Sequence, residues 1–369
     1  MRVLLINSVC GIGSTGKICG AIAEEYASQG HEVTIAYGRD GTVPERYMPY
    51  AHRICSDLDV KVSALRTRLL DDHGFANAAA TKRFIKWAES YDPDLLWLHN
   101  LHGYYIHVGL LFDWIKTRPN MQVKWTLHDC WAFTGHCAYF SMVGCDKWKT
   151  GCGNCPQKGN YPASQLLDGS SRNYRMKKAA FTGVQNMTLI TPSNWLADLV
   201  KQSFLGCYPV EVHYNTIDRN IFHPTDGDFR RRHGLEDKIL LLGVASVWEE
   251  RKGLKDFLAL RTLLDRRYAI VLVGLSQEQI DSLPEGMLGI TRTHDASELA
   301  HIYTTADVYV NPSREETFGM TTLEALSCGT QAIVYQDTAC EEVVNQYGGV
   351  AVAQNAGAIA DAVRSMFVE

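Results

Sequence analysis

The residues best suited to chemistry lie in the run SREETFGMTTLEAL, residues 313–326, which places Glu316 and Glu324 eight positions apart. The preceding segment, ADVYVNPS, is a short apolar run that predicts a buried parallel strand. A strand, a polar turn and a helix start form an anion site, because free N–H groups and the helix dipole point at the turn. Eight residues turn a helix about 80° beyond two full turns, so both carboxylates lie on roughly one face. Carboxylates that accept from hydroxyls beside amides that donate to phosphate suit a nucleotide-sugar; an ordinary acidic surface helix is the alternative.

Two turns that follow predicted strands could also meet phosphates. GIGSTGK, residues 11–17, fits the first seven positions of a phosphate-binding P-loop, but Ile18 stands where Ser or Thr would hold magnesium. This argues against a nucleotide hydrolase. Gly13 and Gly16 would let the backbone approach a diphosphate or an acceptor, or they form a plain tight turn. In GVASVWEERKG, residues 243–253, Arg251 and Lys252 are placed to meet phosphates, and solvated turn charges are the alternative.

His128 follows the fifth predicted strand, in the sequence TLHD. Open α/β sheets bind ligands at the carboxyl ends of their strands, so a histidine there is a candidate for the site. The alternative is a capping histidine that holds the loop after it.

Residues 129–168 form an irregular zone rich in Cys, Gly, Trp and Asn. A loop of this length inside a compact domain is usually functional or separately stapled. Cys152 and Cys155 have the two-residue gap of a zinc knuckle, and Cys137 and Cys145 would complete a structural four-thiolate zinc site. Alternative ligands are Cys130, His128 and His136. A reducing compartment favours zinc over disulfides, and free or redox-labile thiols are the other interpretation.

Length and composition bound the class of protein. The 369 residues suffice for two sizeable domains, and 46% apolar with 21% charged residues is typical of a soluble globular protein. The formal charge of −5 argues against nucleic acid as the main partner. The N-terminal sequence does not resemble a signal peptide, and no run approaches the ~18 apolar residues of a membrane span. We therefore expect a cytoplasmic protein whose cysteines are mostly reduced.

Short apolar strands alternate with helix-length segments throughout, which predicts doubly wound parallel sheets. The predicted strands of the first half are 3–9, 32–37, 53–56, 95–98, 123–127 and 188–191. Those of the second half are 239–245, 270–273, 289–293, 308–312, 331–335 and 350–352. The pattern restarts, so we predict two tandem Rossmann-like domains, 1–209 with its Cys-rich insertion and 225–369, joined by a hinge at 210–224.

The predicted helix TKRFIKWAES, residues 81–90, places three basic residues beside Phe84, Ile85 and Trp87. The basic residues are Lys82, Arg83 and Lys86. Such a helix could touch an anionic membrane that carries a lipid-linked acceptor. A normal amphipathic surface helix is the simpler interpretation.

Taken together, these segments resemble retaining glycosyltransferases of the GT-B fold, in glycosyltransferase family 4. NTIDRNIFHP, residues 215–224, resembles that family's Asn-Gly-Ile-Asp-x-x-x-Phe-x-Pro hinge, with Thr216 in place of Gly. SREETFGMTTLEAL matches its Glu-x7-Glu element, and VGLS, residues 273–276, its Val-Gly turn. HDCWAFTGHC and GCGNCP are similar to a cysteine-rich subgroup among capsular and exopolysaccharide enzymes of the colanic-acid type. The resemblance covers essentially the whole chain.

The resemblance implies a role for each matching residue. Glu316 would orient the hydroxyls of the donor sugar, Glu324 would hold the ribose, and His128 would line the sugar near the reacting carbon. Lys252 keeps its family position, but Val247 stands where an Arg is usual, so Arg251 would supply that charge. The remaining donor contacts would come from the backbone amides of Phe318, Gly319, Met320 and Thr321, from Gly13, and from Arg292 and Thr293 near the base.

The expected activity is retaining transfer of a sugar from a nucleotide-diphospho-sugar, with UDP as the default, to a hydroxyl of a glycan or lipid-linked saccharide. The expected setting is cell-surface glycan synthesis, with peripheral contact at the inner membrane face as an option. No catalytic metal is implied, because the Asp-x-Asp pair that follows a predicted strand, Asp57-Leu-Asp59, opens a helix. The alternatives are a GT-B epimerase or phosphorylase, and a non-catalytic zinc or nucleotide-sugar binding module.

Overall fold

The computed structural model describes residues 1–39 and 41–367, and the chain divides into two compact units, Met1–His213 and Tyr214–Glu369. The division falls inside the segment predicted as the hinge. Each unit is one parallel sheet with helices on both faces, so the prediction of two Rossmann-like domains is confirmed.

The first unit has seven strands: β1 (Arg2–Asn7), β2 (Glu32–Tyr37), β3 (Ala51–Arg53), β4 (Leu95–Leu98), β5 (Gln122–Thr126), β6 (Met187–Thr191) and β7 (Val210–Val212). They pair in parallel in the order β3-β2-β1-β4-β5-β6-β7. The helices are α1 (Gly13–Ser28), α2 (Asp57–Leu70), α3 (Ala78–Tyr91), α4 (Val108–Lys116), α5 (Ser170–Phe181) and α6 (Asn194–Lys201).

The second unit has six strands: β8 (Ile239–Val244), β9 (Tyr268–Val273), β10 (Met287–Ile290), β11 (Val308–Asn311), β12 (Gln331–Tyr335) and β13 (Val350–Val352). Their order is β10-β9-β8-β11-β12-β13, again all parallel. The helices are α7 (Phe229–His233), α8 (Leu254–Leu263), α9 (Gln277–Asp281), α10 (Ala296–Thr305), α11 (Met320–Ser327), α12 (Ala339–Tyr347) and α13 (Ala356–Met366).

Both sheets are buried on both faces, which is why their central strands read as continuous apolar runs. Along β1, Val3 and Leu5 pack into one core cluster while Leu4 and Ile6 pack into another on the opposite face. All six residues of β9 are buried. Helices therefore cover both faces of each sheet. The polar turns lie at the ends of the strands.

Several element boundaries differ from the predicted ones. The third strand is Ala51–Arg53 rather than 53–56, because Ser56 is the N-cap of α2 and accepts from the amide of Asp59 in a capping box. Two short helices, α7 and α9, were not predicted. The predicted hinge begins with β7, which completes the first sheet.

The Cys-rich zone contains only two short 3₁₀ turns, Trp131–Phe133 and Lys147–Lys149, between β5 and α5. Phe133, Phe140 and Trp148 are buried and in mutual ring contact, so the zone has an aromatic core of its own. The side chain of Lys177 on α5 is fully buried beneath it and donates to the carbonyls of Trp131 and Thr134 at 2.7 and 3.1 Å.

Candidate functional site

The second sheet reverses its strand order between β8 and β11, and the candidate donor site lies at the carboxyl ends of these two strands. Open α/β sheets place their ligands at such a switch point. The turn after β8 is the 3₁₀ segment Glu250–Lys252, and the loop after β11 leads into α11. Gly253, with φ +78°, brings the two turns together: a Cβ there would lie 2.6 Å from the carbonyl oxygen of Pro312.

Lys252 and Glu316 meet across this switch point, where the Lys252 Nζ forms an ion pair with Glu316 Oε2. Their side chains are only 18% and 16% exposed. Two residues that the sequence separates by 64 positions are thus joined in one site. An anionic phosphate would compete with the carboxylate for the ammonium group, and the carboxylate would then be available to sugar hydroxyls.

The first turn of α11 offers backbone N–H groups to the same place. Gly319 is the N-cap and provides no side-chain cap. Its φ of +95° is left-handed, and a Cβ there would lie 2.6 Å from the Sγ of Cys340. Phe318 is buried at 2% exposure, so only its backbone faces the turn region. Uncapped amides at a helix start are a suitable partner for an anion.

Glu324 is fixed by a tyrosine that the sequence did not point to. The hydroxyl of Tyr303, on α10, donates to Glu324 Oε2 at 3.0 Å. Burial raises the pKa of Tyr303 well above its usual value, and the nearby Glu324 adds to this, so the phenol remains a donor. Thr321 is fixed likewise, since Tyr309 donates to its hydroxyl at 2.7 Å.

The residues around Lys252 explain the unusual sequence of its turn. Arg251 reaches the carbonyl oxygen of Glu315 with one terminal guanidinium nitrogen at 3.3 Å and pairs with Glu249 at 3.0 Å. Val247, where an Arg was expected, is 60% exposed, and Trp248 is buried with its indole N–H donating to Val273 O at 3.0 Å. Trp248 is therefore a core residue, and Arg251 is the cation next to Lys252 in this turn.

The predicted base contacts lie elsewhere on the second sheet. Arg292 is exposed and Thr293 is partly buried, in the loop after β10. Because β9 lies between β10 and β8 in the sheet, Arg292 and Thr293 are at a separate strand end from the Lys252–Glu316 pair.

The first sheet has its own switch point, between β1 and β4. Gly13 begins α1 after β1, is exposed, and has φ +62° with open space around its Cβ position. Gly16 is buried: its carbonyl accepts from the amide of Gly11 at 3.2 Å, and a Cβ would lie 3.1 Å from that amide nitrogen. Gly13 can thus face a ligand, whereas Gly16 closes the turn.

His128 lies after β5 and is half-buried, with Nε2 3.1 Å from Nδ1 of His99, which follows β4. Burial lowers the pKa of His128 to about 4, although Asp129 opposes the shift. Burial lowers the pKa of His99 as well, with His128 contributing. Both imidazoles are therefore neutral at neutral pH, and His128 can act as a hydrogen-bond partner rather than a cation.

A second polar group at this edge was missed in the sequence. His102 Nε2 lies 2.7 Å from Asp129 Oδ2, and its Nδ1 lies 3.1 Å from the hydroxyl of Tyr161. Asp129 also accepts from the amide of Trp131 at 2.9 Å. His102 follows the carboxyl end of β4, just as His128 follows that of β5. Its position after a predicted strand is therefore the sequence signal that could have identified it.

The four cysteines of the zinc prediction line one cavity of about 10 Å³, together with the aromatic core of the loop. The amide of Gly135 donates to Cys152 Sγ at 3.2 Å. Among residues 1–39 and 41–367, however, no group of three or more His, Cys, Asp or Glu side chains could hold a metal ion as arranged. Cys137, Cys145, Cys152 and Cys155 are free thiols in this arrangement. Zinc stays a prediction, and no step of the chemistry depends on it.

The helix predicted to contact membranes, α3, turns its apolar side chains into the protein. Phe84 is 2% exposed, and Trp87 stacks on His52 with ring centroids 3.7 Å apart. Lys82, Arg83 and Lys86 are exposed on the outer side. These contacts agree with the simpler interpretation, in which α3 is an amphipathic helix packed on the core. None of the helices in the described part of the chain has the length and apolar composition of a membrane span.

Comparison with known proteins agrees with this geometry. The model of the family described as Glycosyltransferase Family 4 matches residues 16–220, and that described as Glycosyl transferases group 1 matches residues 237–368. The chain is 28% identical over 232 residues to a protein named as a putative colanic acid biosynthesis glycosyl transferase, WcaC, of Escherichia coli (strain K12), covering 59% of this chain and 55% of that protein. It is 30% identical over 160 residues to the GDP-mannose-dependent alpha-(1-6)-phosphatidylinositol dimannoside mannosyltransferase of Mycobacterium tuberculosis (strain CDC 1551 / Oshkosh), covering 41% and 42%. The chain thus spans about half the length of the curated relatives it matches.

Solved structures resemble the chain over nearly its whole length. Sucrose-phosphate synthase from Thermosynechococcus elongatus superposes with a TM-score of 0.70 at 17% identity, over 99% of this chain and 89% of that one. Anabaena Alr3699/HepE in complex with UDP gives 0.67 at 14% identity, over 99% and 89%. These likenesses show the fold alone, and they confirm the predicted GT-B class. Because its model matches more than half of the sequence, the chain belongs to Glycosyltransferase Family 4.

Proposed function

We propose that this chain transfers a sugar, with retention of anomeric configuration, from a nucleotide-diphospho-sugar to a hydroxyl of a glycan or lipid-linked saccharide. A role in capsular, exopolysaccharide or other cell-surface glycan synthesis fits the relative named for colanic acid biosynthesis. The observation that supports the proposal most is the Lys252–Glu316 pair at the β8–β11 switch point, beside the uncapped start of α11.

The arrangement suggests how the donor binds. Lys252 and Arg251 would bind the diphosphate, together with the amides of residues 319–321. Glu316, released from Lys252, would accept from hydroxyls of the sugar. Glu324, which the hydroxyl of Tyr303 holds in place, would accept from the ribose hydroxyls. Each group is then placed by a helix or a strand end, which limits the reorganisation that binding requires.

The same groups can assist the reaction. When the bond from the anomeric carbon to the diphosphate breaks, negative charge grows on the departing oxygens and positive charge on the sugar. Preorganised donors at the departing oxygens stabilise that charge: Lys252, Arg251 and the α11 amides. If the leaving phosphate takes the acceptor proton on the same face, no general base is required and configuration is retained. His128 is neutral, so its proposed part is a hydrogen bond to the sugar.

A UDP-sugar is the favoured donor. Anabaena Alr3699/HepE, a structural neighbour, has been solved with UDP and with UDP-glucose. The mycobacterial relative is named for GDP-mannose, so the base needs its own test. Thermal stabilisation by a panel of UDP- and GDP-sugars would identify the donor, because a ligand that binds only the folded state raises the unfolding temperature by mass action.

The decisive experiment is Glu316→Gln, assayed with the donor that the panel identifies. We expect donor turnover to fall by roughly 10²–10³-fold, the usual loss when one transition-state contact is removed. Glu285→Gln, an exposed glutamate of the same unit, is the matched control and should leave turnover unchanged. Near-wild-type turnover of Glu316→Gln would reject the assignment. A glycosidic product with retained anomeric configuration separates transfer from epimerase or phosphorylase activity.

A further inference from the structure

A second ion pair joins the same two segments as the Lys252–Glu316 pair. Arg314 Nη2 lies 3.0 Å from each carboxylate oxygen of Asp256. The two side chains are 28% and 12% exposed, so the pair is partly shielded from water. Asp256 lies in the first turn of α8, four residues after Lys252, and Arg314 lies in the loop after β11, two residues before Glu316. Both ion pairs therefore bridge the start of α8 and the loop that leads to α11.

Contacts to three further segments hold Arg314 in place. Its backbone amide donates to the carbonyl of Arg251 at 2.9 Å. Its guanidinium carbon lies 5.3 Å from the ring centroid of Tyr335, which is fully buried at the end of β12. Its Nη1 lies 3.5 Å from the carbonyl oxygen of Gln354, which follows β13. These contacts fix the orientation of the guanidinium, so its pair with Asp256 has one defined geometry.

The surroundings of Asp256 favour its negative charge and its pairing with Arg314. A carboxylate in the first turn of a helix interacts favourably with the helix dipole. Burial raises the pKa of Tyr335, and the nearby Asp256 adds to this, so the phenol stays neutral next to the ion pair. Lys255, the adjacent residue of α8, pairs with Glu250 at 2.7 Å instead. Arg314 therefore balances the charge of Asp256.

The second pair gains importance when the first one opens. In the proposed function, the diphosphate binds the ammonium of Lys252, and Glu316 turns to the hydroxyls of the sugar. The direct link between these two side chains would then be lost at the moment when both must be in place. Arg314 and Asp256 have no part in that exchange, because each already satisfies the charge of the other.

We propose that Arg314 and Asp256 are positioning residues of the donor site. Their ion pair holds the turn of Lys252 against the loop of Glu316 after the diphosphate has separated these two side chains. This inference rests on the proposed function. Without the pair, the two segments can move apart in the loaded site, where a displacement of about 1 Å costs roughly 10²-fold in rate. A pair with only a structural role would change the stability of the empty protein and leave ligand binding by the folded molecules unchanged.

The variants Arg314→Met and Asp256→Asn test the proposal. Calorimetry with UDP and GDP measures the affinity of the folded protein, and assays with the donor identified by the panel measure kcat and KM. We expect each variant to bind the nucleoside diphosphate roughly tenfold more weakly, the loss expected when one charge-assisted hydrogen bond, that of Lys252, is weakened. The kcat should fall further, by roughly 10²-fold, because turnover requires Glu316 as well as Lys252.

A matched ion pair of the same unit provides the control. Arg230 pairs with Asp307 at 2.7 Å, with side chains 26% and 33% exposed. Asp307 precedes β11, so this pair lies at the amino end of the strand, opposite the donor site. Arg230→Met should therefore lower the unfolding temperature and leave nucleotide affinity and kcat unchanged.

Two further variants separate positioning from a general loss of structure. Arg314→Lys should recover much of the affinity lost in Arg314→Met, because one ammonium group can contact both carboxylate oxygens as Nη2 does. The double variant Arg314→Met/Asp256→Asn should lose no more affinity than either single variant, since the two residues act as one pair. Asp256→Asn keeps the shape of the side chain and decides the question if Arg314→Met does not fold.

The results that overturn the proposed function and those that overturn the positioning role differ. If the wild-type chain binds neither UDP nor GDP and turns over no donor of the panel, the proposed function fails and the positioning role fails with it. If the wild type is active but Asp256→Asn and Arg314→Met keep its affinity and kcat, the positioning role is wrong and the proposed function stands. Equal losses in Arg230→Met would also overturn the positioning role, because lower stability of the unit would then explain the effect.

Discussion

Gly319 offers the most direct test of how the candidate donor site is built. Its φ of +95° would cost an L-residue about 1–2 kcal/mol. A Cβ introduced at this position would also lie 2.6 Å from the Sγ of Cys340, which is fully buried. Relieving such an overlap in a packed core costs about 1–3 kcal/mol. We therefore expect Gly319→Ala to destabilise the second unit by about 2–5 kcal/mol, a large part of the usual stability of a domain.

Denaturant unfolding and a double-mutant cycle measure the two contributions. Cys340→Ala removes the sulfur, so in that background Gly319→Ala should cost only the conformational part, about 1–2 kcal/mol. Gly234→Ala is the matched control, because Gly234 has φ +63° with open space around its Cβ position. Calorimetry with UDP should show weaker binding by Gly319→Ala, since this residue sets the direction of the first α11 amides.

The steric part of the reasoning is refuted if Gly319→Ala and Gly234→Ala cost the same, or if Cys340→Ala leaves the loss unchanged. A Gly319→Ala protein as stable as the wild type would refute the conformational part as well.

Three further outcomes are expected. Glu324→Ala should weaken UDP binding by calorimetry, while Glu298→Ala, on the neighbouring α10, should not; unchanged affinity would remove Glu324 from the ribose site. His128 stays neutral in the fold down to a pKa of about 4, whereas the unfolded residue protonates near 6.5. The unfolded state therefore gains a proton first as pH falls from 6.5 to 4, so stability should drop there by about 1–3 kcal/mol, and His128→Asn should flatten that part of the profile. Equal slopes would contradict the assignment. Metal analysis of protein purified under reducing conditions should find about one zinc per chain if the Cys-rich loop binds it, and finding none would end that prediction.

Much of the fold could be predicted because parallel sheets impose strong local patterns. Strands buried on both faces must be apolar runs, and the predicted limits of β2, β4, β12 and β13 agree with the structure to the residue. The short helices α7 and α9 were missed, since five residues contain too little periodicity to be recognised. The strand–turn–helix around Glu316 was likewise readable, because its parts are adjacent in the sequence.

Partners from distant segments could not be read in the same way. Lys252 meets Glu316 only because β8 and β11 are neighbours at the switch point, and local sequence does not state which strands are adjacent. Tyr303 reaches Glu324 from a different helix for the same reason. Glu316 and Glu324 could be identified from the sequence. That Glu316 meets Lys252 and Glu324 meets Tyr303 follows from the order of the strands.

The helices α3 and α2 show the limit most clearly. Periodicity in the sequence identifies an apolar face on α3, but only tertiary packing shows that Phe84 and Trp87 on this face are covered by the core. Leu58, Val62 and Leu65 of α2 share one face by the same spacing, yet this face is exposed. The inner side of α2 is taken by Val60, Ser63 and Thr67 instead. A helical repeat fixes which residues share a face. What covers that face depends on segments far away in the chain, and so only the folded structure decides it.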